Sequence, residues 1–108
     1  MAHRPYVELL WWQGCPSTGA VRAILRGALA DAGLSEEAFR EREVTDHAQA
    51  QREGFPGSPT IRVDGRDVEP TDAPPSLGCR VYRRADGHPS PLPDRDRIVA
   101  ALAKRVAA

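Results

Sequence analysis

The chain has 108 residues, enough for one domain with its own core and too few for two. Lys+Arg and Asp+Glu each number 15, so the formal charge is zero and the basic excess that marks nucleic-acid or anionic-membrane binding is missing. No apolar run approaches the ~18 residues of a membrane span, and two cysteines are too few for a secreted disulfide framework.

The apolar stretch at 6–12 is shorter than a signal peptide's core and has no small-residue cleavage site after it. A single cytoplasmic domain over residues 1–108 is therefore expected. It should be monomeric, with neither nucleic acid nor membrane as partner and with Cys15 and Cys79 held as thiols. The residues call for no cofactor and show no metal-ligand spacing. His3, His47 and His88 stand far apart in the chain and read as surface residues.

Residues 6–12 are β-prone and almost continuously apolar, the pattern of a strand buried on both faces. A short loop, Gln13-Gly14-Cys15, follows. Pro16 suits a first helical turn, and Ser17 and Thr18 offer capping hydroxyls. Val21, Ile24, Leu25, Ala28 and Leu29 then recur at helical spacing until Gly33 supplies a stop. Alternation over 39–44 predicts an edge strand. Asp46 is placed to cap a short polar helix running to about Glu53, which Gly54-Phe55-Pro56-Gly57-Ser58-Pro59 breaks.

Residues 60–63 form a β-branched strand, and Asp64-Gly65 is a turn signal. The proline-rich stretch 67–78 reads as a loop, and 78–84 as a strand around Cys79, Val81 and Tyr82. Asp86-Gly87 marks another turn. Asp94 caps a last helix with Ile98, Val99, Leu102 and Val106 on one face. The order is β-α-β-α-β-β-α. A right-handed crossover would pair the first two strands in parallel, and the last two would form an antiparallel hairpin. The expected architecture is α/β, with a four-stranded mixed sheet and helices on both faces.

Cys15 is the residue with the most chemistry. A thiol at a helix start is acidified by unpaired backbone amides and the helix dipole, and the thiolate is the nucleophile. The plain alternative is a small buried side chain, a common fate of free cysteines.

Trp12-Gln13-Gly14-Cys15-Pro16-Ser17-Thr18, together with Gly54-Phe55-Pro56-Gly57-Ser58-Pro59-Thr60-Ile61-Arg62-Val63-Asp64-Gly65, resembles the thioredoxin/glutaredoxin superfamily in nearly the whole chain. A cysteine stands between first strand and first helix, and Pro59, 44 positions later, opens the third strand. The chain is also similar to small actinobacterial thioredoxin-like proteins, some of which carry mercury-resistance names. The resemblance implies a thioredoxin-like fold, a cis peptide before Pro59, and Ser58 offering its backbone groups to an extended partner. Trp12 and Pro16 would flank the cysteine and join Ser58 and Pro59 as substrate contacts.

The family's Cys-x-x-Cys is replaced here by Cys15-Pro16-Ser17-Thr18, so the short disulfide is excluded. What remains resembles the monothiol Cys-x-x-Ser motif. Thr18 would hydrogen-bond the Cys15 thiolate, and exchange would run through a mixed disulfide with a small thiol or a protein cysteine. Glutathione fits the resemblance poorly. Gln13 stands where glutaredoxins carry a basic residue, and Ala85-Asp86 is half of their Ser/Cys-Asp pair. Asp86 would hold a glutathione amine or simply sit in a surface turn.

Pairing Arg84 with Pro59 would put Cys79 beside Asp64, about 17 Å along the strand from the active-site end. A disulfide needs Cα atoms within ~7 Å, so Cys79 reads as core filler rather than a second active thiol. A fold-back of the 67–78 loop would change that register and leave Cys79 open as a second, resolving thiol. Arg80, Arg83 and Arg84 read as a solvated basic face. Three functions follow: monothiol thiol–disulfide exchange at Cys15, a redox-inactive module binding a partner in the Ser58-Pro59 groove, or soft-metal (mercury) handling by the thiols.

Overall fold

The computed structural model describes residues 4–106. Six strands and three helices follow in chain order: β1 (Val7–Trp11), α1 (Thr18–Asp31), β2 (Arg40–Glu43), α2 (His47–Glu53), β3 (Thr60–Val63), β4 (Arg66–Asp67), β5 (Tyr82–Arg83), β6 (Pro89–Ser90) and α3 (Arg95–Val106). The main sheet has the order β2-β1-β3-β4. β1 runs parallel to β2 and antiparallel to β3, with Leu9 opposite both Glu41 and Ile61. The molecule is thus mixed α/β, with a four-stranded mixed sheet and three helices.

Alternation along the two central strands divides the core. Val7 and Leu9 lie on the same sheet face as their partners Val63 and Ile61, packed with Val21, Leu25, Ala28 and Leu29 of α1 and Ile98 and Leu102 of α3. Leu10 faces the other way, onto Val44, Ala50 and Phe55, with Trp12 and Leu77 at the margin. Glu8 also points to that second face and is only 7 % exposed. Arg42 on β2 bonds its carboxylate at 3.1 Å and also bonds Glu53, so a charge inside a nearly apolar strand is matched by an opposite one. Asp46 caps α2 by accepting the Gln49 amide at 2.8 Å, and Gly54 closes the helix with a left-handed φ of 61°.

The fourth strand is not the one expected. Asp64 and Gly65 both have positive φ, 51° and 80°, the geometry of a two-residue hairpin turn. Such a turn leaves no slack, so Arg66 and Asp67 pair at once with Val63 and Arg62. The segment expected to fill this place instead joins a separate two-stranded sheet. Tyr82 pairs with Ser90, and Arg83 with Pro89, around the turn that contains Asp86 and Gly87. The register that set Cys79 beside Asp64 falls with that correction. Residues 67–78 do fold back, carrying Cys79 to an isolated parallel bridge with Ser58.

Candidate functional site

The site begins with the turn that ends β1. The Cys15 amide donates to the Trp12 carbonyl at 3.0 Å, and the Trp12 amide donates to the Ser58 hydroxyl at 3.0 Å. The turn is therefore closed on itself and tied across to the start of β3. Trp12 lays its ring over Gly14, where a Cβ would fall 2.3 Å from the indole, so residue 14 must be glycine for the ring to lie there. α1 starts at Thr18, with Ser17 at its cap position but making no side-chain cap bond. The Thr18 hydroxyl turns back instead, 3.4 Å from the Cys15 carbonyl. Neither hydroxyl expected to cap the helix does so.

The Cys15 thiol donates to the Ser58 carbonyl at 3.5 Å, and the Ser58–Pro59 peptide that follows is cis. Cys15 is 8 % exposed, but its sulfur sits among polar groups. Burial alone would push the thiol's pKa up. Hydrogen bonds to the sulfur from Ser58, the Ser17 backbone, Thr18 and Cys79 outweigh it, and the thiol lies below its ordinary value. The Ser58 hydroxyl already accepts from Trp12, so its own proton is free for the sulfur. The Ser58 carbonyl also accepts the Arg80 amide at 2.8 Å. Losing the thiol proton therefore leaves no buried acceptor empty.

Residues 78–80 lie on the other side of Ser58. Its amide donates to the Gly78 carbonyl at 2.7 Å and its carbonyl accepts from Arg80, so both of its backbone groups are taken within the chain. These are the groups expected to meet a partner; here Ser58 is fully buried and Pro59 is among the fully buried side chains. Cys79, the residue between Gly78 and Arg80, is exposed rather than core filler. Its thiol is pushed up by burial, by the neighbouring Cys15 charge and by Cys15 as hydrogen-bond partner. The two cysteines are thus brought together, against the expectation that they lie far apart. No disulfide joins them in this structure.

Sequence reasoning missed what holds this segment in place. Along 79–83, Cys79, Val81 and Arg83 face outward while Arg80 and Tyr82 are buried, the reverse of what hydrophobicity alone suggests. The Arg80 guanidinium, 6 % exposed, donates to the Thr60 hydroxyl at 3.1 Å, to the Asp67 carboxylate at 2.7 Å and to the Glu69 carbonyl. It also stacks 4.3 Å from the Tyr82 ring centre, and the Tyr82 hydroxyl donates to the Pro59 carbonyl. Arg80 is therefore a buried clamp and not part of a solvated basic face. Gly57 makes room for it. Its φ is 123°, and a Cβ there would stand 3.1 Å from the Arg80 backbone. The period-2 pattern of Arg80 and Tyr82 was the one available signal.

Pro16 is exposed beside Cys15, and the remaining sequence candidates fall outside the site. Asp86 lies in the exposed β5–β6 turn, where it accepts the His88 amide at 3.0 Å. His47 opens α2, and His3 lies outside the described residues. Among the described residues no group of three or more His, Cys, Asp or Glu side chains converges as a metal site, and no helix is long and apolar enough to cross a membrane. Compared with known proteins, the chain matches no family model, no curated protein and no solved structure.

Proposed function

We propose that this chain is a thioredoxin-like thiol–disulfide oxidoreductase in which Cys15 is the nucleophile and forms a mixed disulfide with a small thiol or a protein cysteine. One observation carries the reading. The Cys15 sulfur sits at the mouth of α1, 3.5 Å from the carbonyl that precedes a cis-proline, with hydrogen bonds that favour its ionised form. An acidified thiol at a helix start is the feature such exchange requires. The strand order β2-β1-β3-β4 and the helices on both sheet faces support the thioredoxin-like assignment. Ser58, Thr18 and the Ser17 amide stabilise the thiolate. Cys15→Ser should abolish exchange with a disulfide substrate while leaving the far-ultraviolet circular dichroism unchanged. Exchange that survives this substitution discards the reading.

A second reading gains from the approach of Cys79 to Cys15, since two thiolates side by side suit a soft ion such as Hg(II). It predicts that one equivalent of Hg(II) protects both thiols from alkylation together; protection of one alone removes it. A redox-inactive module that docks a partner along the Ser58-Pro59 edge has less support, because residues 78–80 already use both backbone groups of Ser58.

A further inference from the structure

We propose that Cys79 is the resolving thiol for Cys15 and that the two close an intramolecular disulfide beside the Ser58–Cys79 bridge. The inference rests on Cys15 being the nucleophile, and it turns a one-thiol reaction into a two-thiol one. The placement is backbone-defined. Ser58 pairs directly with Cys79, held on both sides by the 2.7 Å and 2.8 Å bonds to Gly78 and Arg80, and the Ser58 carbonyl is the group that the Cys15 thiol touches. Ser58 stands about 5 Å from Cys79 across the bridge and its carbonyl lies 3.5 Å from the Cys15 sulfur, so the two thiols, hydrogen-bond partners of one another, meet across this one residue. Arg80 and Tyr82, on either side of the exposed Val81, anchor the segment to Thr60, Asp67 and Pro59. Cys79 is thus delivered by a clamped segment and not by a loose loop.

The chemistry balances as follows. The Cys15 thiolate attacks one sulfur of a substrate disulfide RS–SR′. A Cys15–SR bond forms, the S–S bond breaks, and R′S⁻ leaves and takes a proton. Cys79 then loses its proton and attacks Cys15 Sγ. The Cys15–Cys79 bond forms, and RS⁻ leaves and is protonated. The protein gives up two electrons and two protons, and the substrate disulfide is reduced to two thiols. A low-molecular-weight dithiol, or two equivalents of a monothiol, returns the protein to its reduced state and is itself oxidised to a disulfide.

The test uses the reduced full chain, with glutathione disulfide as the probe and intact-mass and peptide-mass readouts. Wild type should end lighter by two hydrogens, monomeric, with both thiols blocked to alkylation and no lasting adduct. Cys79→Ser should instead accumulate one glutathione on Cys15, with an adduct lifetime at least tenfold longer than in wild type. A wild-type adduct on Cys15 as long-lived as that of Cys79→Ser, or a disulfide-linked dimer, would overturn the resolving role and leave Cys15 as nucleophile. Absence of any Cys15 adduct in Cys79→Ser would overturn the nucleophile itself, and the inference with it.

Discussion

The turn that carries Cys15 and the segment that carries Cys79 place two thiols beside one serine by opposite means. Cys15 is buried but surrounded by hydrogen-bond partners, and its thiol is acidified. Cys79 is exposed, its slight burial and the neighbouring Cys15 both act to keep its proton on, and its thiol is weakened as an acid. The more buried thiol is nonetheless the stronger acid, because the hydrogen bonds to the Cys15 sulfur together outweigh the cost of its burial. The Cys15 turn is closed by bonds between near neighbours, 12 to 15 and 15 to 18, with one long-range tie from the Trp12 amide to Ser58. The Cys79 segment is held by Arg80 reaching Thr60, Asp67 and Glu69, 11 to 20 positions away.

The largest effect should come from breaking the second kind of support. Arg80→Met removes a buried guanidinium and leaves the Asp67 carboxylate with the Glu69 amide but no opposite charge, at a cost of about 3 kcal/mol in urea unfolding. It should also free Ser58's backbone from residues 78–80. Unchanged stability would mean that the clamp does not hold this segment. Tyr82→Phe takes only the hydroxyl that donates to the Pro59 carbonyl and should cost about 1–2 kcal/mol by the same measurement.

Ser58→Ala acts on the Cys15 side. It leaves the Trp12 amide without its acceptor and should cost about 1 kcal/mol. More telling, it should move the alkylation midpoint of Cys15 to higher pH and leave that of Cys79 where it was. An unmoved Cys15 midpoint would remove Ser58 as the stabilising group.

The smallest effect is the dependence of stability on pH. Folding lowers the pKa of Cys15, so its ionisation favours the native state. That contribution is fully present above the unfolded thiol's pKa and is lost as pH falls through the lowered folded value. Folding raises the pKa of Cys79, so its contribution is present below the unfolded pKa and is lost as pH rises through the raised folded value. Urea midpoints of Cys79→Ser should therefore rise with pH across the Cys15 window, and the alkaline loss due to Cys79, to which Cys15 contributes, should shrink in Cys15→Ser relative to wild type. A fall in the first variant, or a larger alkaline loss in the second, would reverse the assignment of the two thiols.

Much of this was legible in the residues. The 3.6-residue spacing of Val21, Leu25, Ala28 and Leu29 marked α1, and Asp46 and Gly54 marked both ends of α2, because caps and periodic burial are local properties. The place of Cys15 ahead of a helix was equally readable, as was the turn at Asp64-Gly65. What the residues did not show lay after that turn. The hairpin signal is present, yet the partner strand is the next two residues and not the more strongly β-prone segment at 78–84 beyond the proline-rich loop. Arg80 looked like a surface charge because its partners are acceptors drawn from three separate stretches of chain.

Sequence alone determined the helices, the tight turns and the thiol at the start of α1, since each depends on contacts within a few residues. Only the tertiary structure decided that Cys79 returns to Ser58. That return depends on a buried arginine finding Thr60, Asp67 and Glu69 together and on a glycine at position 57 that lets two backbones approach, pairings that exist only once the chain has closed on itself.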